Sequence, residues 1–337
     1  MAALVPPTPA TTPPPAAAPA RRTESLRDAY GKTLVELGKE DPTMAVLDAD
    51  LSGSTRTALF GKQFPDRYFN VGVAEQNMMG IAAGLATGGR CVFASTFAVF
   101  AAGLAYNTVR QSLGYNRLNV KVVATHGGLT VGGDGGTHQM LEDVALMRSI
   151  PGMSVVVPAD APETAAATRT FHASYGPAYM RLSRESFPVV TDGKFQLGHF
   201  GVLRDGKDLT YAANGIMVGR ALDAADEMAK SGVDVRVVNC SSMKPFDNHT
   251  ILRAAQETGA ILTMEEHTVL TGLGAAVATA TSERYPVPVR RIGTPDLFGE
   301  SGDPWKLMEK YGLSQERILA ESFEMLKLRG TKGREGA

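Results

Sequence analysis

Short, uninterrupted apolar runs recur along this chain and alternate with segments of helical periodicity. The runs include TMAVLDAD (43–50), CVFAS (91–95), LNVKVVAT (118–125) and MSVVVPAD (153–160). Helical patterns lie between them, notably over residues 75–87 and 138–149. A strand that is apolar without interruption is buried on both faces, which is typical of a parallel sheet covered by helices on each side. The alternation therefore predicts an α/β fold with doubly wound sheets.

A second alternating set begins near residue 209, after an irregular stretch rich in Gly, Asp and Pro. A chain of 337 residues is long enough for two such domains. We therefore predict one domain over 25–187, a linker over 188–208, and a second domain over 209–328, followed by a flexible tail over 329–337.

Residues 1–24 are predicted to form a disordered arm. The first 22 hold 7 of the 19 prolines and no acidic residue, a composition that buries too little apolar surface to offset its ordering entropy. An organelle transit peptide is the alternative, because the segment lacks acids and ends in Arg21 and Arg22.

The charge balance excludes several kinds of partner. A net charge of −1, from 34 Lys+Arg and 35 Asp+Glu, argues against nucleic acid and against an anionic membrane surface as partners.

No apolar run approaches the roughly 20 residues that a membrane-spanning helix needs. Two cysteines, Cys91 and Cys240, are too few for a disulfide framework, which favours a cytoplasmic location.

Two segments carry side chains that are unusual at the ends of predicted strands. Glu75 enters a helix otherwise built from Ala, Gly and Met. It is either a carboxylate favoured by the helix N-terminus or a partly desolvated acid that shares a proton with a nitrogenous cofactor.

Phe97 and Phe100 are three residues apart, so on a helix they would share a face. They form either core or a slot for a heteroaromatic ring.

The segment from His126 to His138 is the hardest to explain structurally. Asp134 and six glycines lie between the two histidines, and so many glycines imply close backbone approach or unusual dihedral angles. The spacing and the lack of a Cys/His set do not suit zinc, and we predict no metal ligands in this chain. Histidine and aspartate on a glycine-rich loop fit acid–base chemistry and hydroxyl binding better.

A phosphate cradle is missing from the sequence, which contains neither GxxxxGK[ST] nor a strand-to-helix GxGxxG. Gly133–Gly135 reads GDG, but the paired asparagines that follow this triplet in diphosphate-binding domains are absent. Arg27 and Arg184 are candidate ligands for a substrate phosphate, although a single arginine is more often a surface charge.

Together these segments resemble the C-terminal half of transketolase, and in particular the small subunit of split, two-gene transketolases. The likeness extends from about Ser25 to Leu328 and includes MEEHTVLTGLGAAVA (264–278) and RIGTPDLFGESGDPWKLMEKYGL (291–313). It implies a thiamine-diphosphate pyrimidine-binding domain followed by a transketolase C-terminal domain, and a reaction that moves a two-carbon ketol unit between sugar phosphates.

The resemblance also implies a role for each site residue. Glu75 matches the glutamate that hydrogen-bonds the aminopyrimidine ring of thiamine diphosphate and activates the cofactor. Catalytic roles in moving protons fall to His126 and His138. The remaining matches are cofactor contacts from Phe97, Phe100 and Asp50, and substrate contacts from Arg27, Ser54, His126, Asp134 and Arg184. The C-terminal domain is expected to lie away from the cofactor, with His267 structural.

Two positions depart from the family pattern: Gly103 replaces the third aromatic residue of the pocket, and Gly133 replaces an acidic residue. Tyr106 is the candidate to compensate for Gly103. The diphosphate-binding N-terminal domain is missing as well. We therefore expect a partner subunit to hold the diphosphate and a Mg²⁺ or Ca²⁺ ion, in an α₂β₂ assembly.

Other functions stay open from the sequence alone. A second hypothesis is a subunit of another thiamine-diphosphate enzyme, either deoxyxylulose-phosphate synthase-like or the beta subunit of a 2-oxo acid dehydrogenase. A third hypothesis is a regulatory subunit that kept the fold and lost the chemistry. Against this third hypothesis, Glu75, His126, Asp134 and His138 are all present.

Overall fold

The computed structural model describes residues 21–329, so most of the predicted arm and tail lies outside the described residues. The strands are β1 Thr23–Ser25, β2 Ala45–Asp48, β3 Tyr68–Asn70, β4 Val92–Phe97, β5 Val120–Thr125, β6 Ser154–Val156, β7 Ala178–Arg181, β8 Ser186–Pro188, β9 Gly201–Arg204, β10 Leu209–Ala213, β11 Val235–Asn239, β12 Ser242–Lys244, β13 Ile261–Thr268 and β14 Val289–Thr294.

The α-helices are α1 Leu26–Glu40, α2 Ser52–Thr55, α3 Ala58–Gln63, α4 Glu75–Thr87, α5 Tyr106–Thr108, α6 Asp143–Ser149, α7 Ala161–Ala173, α8 Met217–Lys230, α9 Asn248–Thr258, α10 Leu273–Arg284, α11 Pro304–Lys310 and α12 Gln315–Arg329. Phe100–Leu104 and Val109–Tyr115 are π-helical, whereas Pro65–Arg67 and Leu129–Asp134 are 3₁₀ segments. None of the helices within residues 21–329 is long and apolar enough to cross a bilayer.

The first sheet is parallel except at one edge, with strand order β12-β6-β7-β5-β4-β2-β3. Each residue of β2, β4 and β5 is buried, as the continuous apolar runs predict for strands covered on both faces. From β2 the chain passes to β3 on one side of that strand, and then to β4 on its other side. This reversal opens a crevice at the carboxyl ends of β2 and β4, where open α/β sheets bind ligands.

The second sheet has strand order β14-β13-β10-β11-β9, with β9 antiparallel at its edge. Two α/β sheets with helices between their strands confirm the predicted fold class. The segment predicted as a linker contains β9, which sequence periodicity did not reveal because this short edge strand is half-exposed and has no apolar run.

The two domains share secondary structure. β12, which follows the second-domain strand β11, pairs antiparallel with β6 and so extends the first sheet. A separate two-stranded sheet joins β1 to β8 at the end of the first domain. Because buried strand edges must pair, the first domain depends on the second for the closure of one edge.

Candidate active site

Candidate residues from five neighbouring strands lie at one edge of the first sheet. β3, β2, β4, β5 and β7 are adjacent and parallel, so their carboxyl ends point the same way. These ends lead, in that order, to Glu75, Asp50, Phe97, His126 and Arg184. The fold thus brings residues that are up to 134 positions apart in the sequence into one crevice.

Four of the predicted residues form a cluster of rings. Phe97 stacks on Phe100, with ring centroids 5.8 Å apart and planes 10° from parallel. His126 stacks on Phe97 at 3.8 Å. His138 approaches both phenyl rings edge-on, at 6.4 Å from Phe97 and 5.6 Å from Phe100. The two histidines therefore face one aromatic pair from different directions.

The prediction that Phe97 and Phe100 share one face of a helix is wrong, although their two rings do stack. Phe97 is the last residue of β4, and Phe100 begins the π-helical turn Phe100–Leu104. A π-turn widens the helix and re-aims its side chains, and such turns are frequent at functional sites. The stack arises at the junction of strand and turn.

His126 is held in its neutral form. Its side chain is buried, and burial, followed by repulsion from Arg27 and Arg184, lowers its pKa to about 3. The ring nitrogen Nδ1 lies 2.9 Å from the Thr125 hydroxyl. Its backbone φ is +60°, a strained conformation for a residue other than glycine, of the kind that clusters at active sites.

Glu75 begins α4 and is buried. Within the described residues, its carboxylate has no hydrogen-bond or ion-pair partner. Next to it, the Gln76 side chain donates to the Leu104 carbonyl at 2.8 Å, which fastens the start of α4 to the turn that carries Phe100. The carboxylate is therefore free to bind a nitrogen base that enters beside the aromatic stack.

The polar candidates form a second group beside the rings. The Arg27 guanidinium donates to the Ser54 carbonyl at 2.9 Å and to the Arg184 carbonyl at 2.8 Å, while its Nε is buried without a partner. The Arg184 guanidinium lies 4.0 Å from the Asp134 carboxylate and donates to the Val131 carbonyl at 2.6 Å. Two arginines so close together suit an anionic group on a ligand.

Asp50 remains apart from these groups. Its carboxylate accepts from the Asn70 side chain at 3.2 Å, and Asn70 in turn accepts from the Asp50 amide at 3.0 Å. Across residues 21–329, neither Asp50 nor Glu75 shares a hydrogen bond with the other predicted site residues. Their place at the sheet edge, rather than a direct contact, connects them to the site.

The two positions that depart from the family pattern, Gly103 and Gly133, both have open space around them. A Cβ atom at Gly103 or at Gly133 would meet nothing within 4 Å. Tyr106 does not fill the first gap, because its hydroxyl bonds Ser149 at 3.0 Å. In the part of the chain that the structure describes, no ring contact joins Tyr106 to Phe97 or Phe100.

Sequence analysis missed three buried side chains that hold the glycine loop, which we define as residues 126–139; one of them, Gln139, belongs to the loop itself. Glu266 accepts from the Thr130 amide at 2.6 Å. Arg181 donates to the carbonyls of Glu266 and Met140 at 2.8 and 3.0 Å. Gln139 donates to the Leu129 and Glu300 carbonyls at 3.1 and 3.0 Å. The available signal was the adjacent acid pair Glu265–Glu266 on a buried strand, which requires partners for both carboxylates.

A nitrogen heterocycle fits this site better than a metal ion does. Among the described residues, no three His, Cys, Asp or Glu side chains are grouped so as to hold a metal. Glu75, Phe97 and Phe100 instead offer a carboxylate that lacks a partner and a stacked aromatic pair. This donor set suits a flat ring that carries a basic nitrogen.

Comparison with known proteins extends the likeness to both domains. The family model for the transketolase pyrimidine binding domain matches residues 23–189, and that for the transketolase C-terminal domain matches residues 198–318. A putative transketolase C-terminal section from Methanocaldococcus jannaschii is 44% identical, over 90% of this chain and 97% of that protein. The 6-deoxy-6-sulfo-D-fructose transketolase subunit SqwH from Clostridium sp. is 43% identical, over 89% and 94%.

A solved structure is similar as well. It is described as a split gene transketolase, inactive beta4 tetramer, and matches with a TM-score of 0.85 at 50% identity. The match covers 90% of this chain and 99% of that one. The likeness therefore includes the edge of the first sheet where the candidate residues gather.

Proposed function

Because this chain belongs to the transketolase family, we propose that it is the subunit of a split transketolase that activates thiamine diphosphate and binds the sugar substrates. The reaction would transfer a two-carbon ketol unit between sugar phosphates. One observation carries the proposal: the carboxylate of Glu75 has no partner in the described chain and lies at the same sheet edge as the Phe97–Phe100 stack and both histidines.

Each residue has a chemical task in this proposal. Thiamine diphosphate, when bound, supplies the carbanion chemistry that cleaves and forms carbon–carbon bonds. Glu75 would share a proton with a nitrogen of the pyrimidine ring, and Phe97 and Phe100 would hold that ring. His126, kept neutral by burial, both accepts and donates hydrogen bonds to substrate oxygens. His138, whose ring meets both phenyl rings edge-on, moves a second proton.

The arginines define the substrate class. Arg27 and Arg184 lie near His126, since both guanidinium groups lower the His126 pKa, and Arg27 contacts the Ser54 carbonyl. We assign them to the anionic end of the sugar, and Asp134 to a donor hydroxyl. A relative named for a sulfonated fructose supports an anionic sugar without choosing between phosphate and sulfonate.

We also propose that a second polypeptide holds the diphosphate and its Mg²⁺ or Ca²⁺ ion, within an α₂β₂ assembly. Relatives named as a C-terminal section and as a subunit support a divided enzyme. The helix that starts at Glu75 presents an exposed face, formed by Gln76, Asn77, Gly80 and Gly84. A Cβ at either glycine would meet open space, so a neighbouring helix can approach this face closely.

A cytoplasmic location belongs to the same proposal. Cys91 and Cys240 are buried free thiols, which suits a reducing compartment. The pentose-phosphate class of sugars is the substrate set that we would assay first. Cell fractionation with an antibody against the chain tests the location directly.

The first test uses the complex reconstituted with its N-terminal partner. Glu75→Ala should reduce ketol transfer from a ketose phosphate by at least about a hundredfold, because the pyrimidine nitrogen loses its proton partner. Glu283→Ala, at an exposed helical glutamate of α10, is the matched control and should keep wild-type turnover. Near-normal activity of Glu75→Ala contradicts the assignment.

Two further outcomes separate the alternatives. The chain without its partner should bind no diphosphate tightly and show no turnover, in line with a similar protein described as an inactive beta4 tetramer. Release of CO₂ from pyruvate by the complex, with no ketol transfer, points instead to a 2-oxo acid enzyme. A complex inactive towards both substrate classes supports a regulatory subunit.

A further inference from the structure

The glycine loop takes its support from both domains. It contains the 3₁₀ segment Leu129–Asp134, interrupted at Gly132, and has positive φ at Gly128, Gly132 and Gly135. Within the first domain, Arg184 holds the Val131 carbonyl and Gln139 holds the Leu129 carbonyl. A loop this rich in glycine loses much backbone entropy when it is ordered, so additional contacts must fix its position.

The C-terminal domain supplies such a contact through Glu266. Successive side chains of a strand point to opposite faces, and β13 uses both faces at its end. Glu265 accepts from the amides of Leu273 and Gly274, at 2.6 and 2.8 Å, and so caps α10. Glu266 points the other way and accepts from the Thr130 amide of the glycine loop at 2.6 Å.

The fit between Glu266 and the loop is close. Gly128 has φ +91°, and a Cβ atom there would overlap the Glu266 carboxylate. Arg181 lies against Gly127 and donates to the Glu266 backbone carbonyl at 2.8 Å. Burial raises the pKa of Glu266, and the Arg181 guanidinium opposes that shift. The carboxylate therefore accepts a bond from the loop backbone and has a buried cation nearby.

A second segment of the C-terminal domain covers the same loop. The Glu300 carbonyl accepts from Gln139 at 3.0 Å. A Cβ at Gly135 would overlap the Ser301 hydroxyl, and one at Gly136 would approach the Gly299 carbonyl closely. Asp134 and His138 lie between these contact points along the chain, so their positions depend on how the C-terminal domain is seated.

We propose that Glu266 is a positioning residue through which the C-terminal domain holds the glycine loop in the form that presents Asp134 and His138 to the sugar. The kinetic part of this inference rests on the proposed function, whereas the structural part does not. The inference gives the C-terminal domain a role at the active site, whereas the family resemblance led us to expect this domain to lie away from the cofactor.

The structural test is amide hydrogen exchange on the full chain. Glu266→Ala removes the acceptor and should speed exchange of the Thr130 amide and its neighbours in residues 127–139 by about tenfold or more. Glu266→Asp withdraws the carboxylate by one methylene and should give the same direction of change, so it carries the test if the alanine variant fails to fold. Glu266→Gln keeps an acceptor and should restore slow exchange.

The kinetic test uses the complex with its partner. Glu266→Ala should raise the KM for the donor sugar about tenfold, more than it lowers kcat, and leave the affinity for thiamine diphosphate unchanged. Glu266→Gln should recover most of the loss. Tyr211→Phe removes a buried hydrogen bond to Ser322 elsewhere in the C-terminal domain and should leave the KM unchanged.

Two results would overturn the inference: wild-type exchange of the loop in both Glu266→Ala and Glu266→Asp, or a glutamine variant as impaired as the alanine variant. If the wild-type complex transfers no ketol unit while the exchange results hold, the proposed function fails and the positioning contact stands.

Discussion

His126 shows how surroundings at the residue scale decide the protonation state of a candidate catalytic group. A solvated histidine has a pKa near 6.5, whereas burial and two nearby arginines lower the His126 pKa to about 3. At neutral pH the ring is therefore uncharged and can serve as both donor and acceptor. The same histidine carries the positive φ that turns the chain from β5 into the glycine loop.

This shift makes the stability of the fold depend on pH. Below about pH 6.5 the unfolded His126 binds a proton that the folded one refuses, so the free energy of unfolding falls as pH decreases towards about 3. The slope contributed by this residue approaches about 1.4 kcal/mol per pH unit. Urea unfolding between pH 7.5 and pH 5 should show a flatter profile for His126→Gln than for the wild type.

The matched control is His249→Gln, at an exposed histidine of α9, which should keep the wild-type profile. Parallel profiles for His126→Gln and the wild type would show that His126 does not resist protonation in the folded protein.

At the scale of the element, the glycine loop combines residues that have different reasons to be glycine. Gly128 has a positive φ and faces the Glu266 carboxylate, whereas Gly133 is exposed and has open space around its Cα. The sequence presents both as members of one glycine-rich string. Only the tertiary contacts separate the constrained position from the free one.

Alanine substitution should reveal this difference. Gly128→Ala forces a left-handed backbone on a residue with a Cβ and displaces Glu266, so it should reduce the free energy of unfolding by about 1–3 kcal/mol. Gly133→Ala should change it by less than about 0.5 kcal/mol. Urea unfolding at pH 7.5 provides both values, and equal losses would mean that the Glu266 contact does not constrain the loop.

Other elements show which sequence signals were reliable. Helix α4 has the predicted bounds of 75–87, because its Ala/Met periodicity begins after an extended segment and ends at glycine. Helix α6 begins at Asp143 rather than 138, because the chain remains irregular after the glycine loop, where the Leu141 carbonyl accepts from the Thr268 amide of the C-terminal domain. Local periodicity could not report a contact with a residue so distant in sequence.

At the scale of the whole molecule, a buried glutamate joins the two domains. The Glu163 carboxylate accepts from Asn239 at 2.8 Å and from Ser241 at 2.7 Å, both in the second domain. It also accepts from the Ala159 amide at 2.7 Å in the first. Burial raises the pKa of Glu163, so these donors offset part of the cost of burying the carboxylate.

Removal of one donor should weaken the whole chain rather than one domain. Asn239→Ala should lower the free energy of unfolding by about 1–3 kcal/mol, because the buried Glu163 carboxylate loses one of its donors. Unfolding followed by fluorescence and by circular dichroism should remain a single coincident transition, since β12 and β6 share a sheet. Asn248→Ala, at an exposed asparagine, is the control and should cost less than about 0.5 kcal/mol. Two separate transitions, or equal losses, would contradict the coupling.

The sequence by itself determined the α/β class, the main buried strands and the chemistry of the candidate side chains. Buried strands and amphipathic helices leave periodic signals, and Glu75, His126, Asp134 and His138 are conspicuous among small residues. The sequence also supported the transketolase resemblance, which the comparisons confirm.

Only the tertiary structure decided which of these residues meet. The stack of His126 on Phe97 depends on the register that places Phe97 beside Thr125. The bond from Thr130 to Glu266 joins residues 136 positions apart, and it depends on how one domain rests on the other. The physical reason is that periodicity records burial within an element, whereas contact between elements depends on packing that no local pattern encodes.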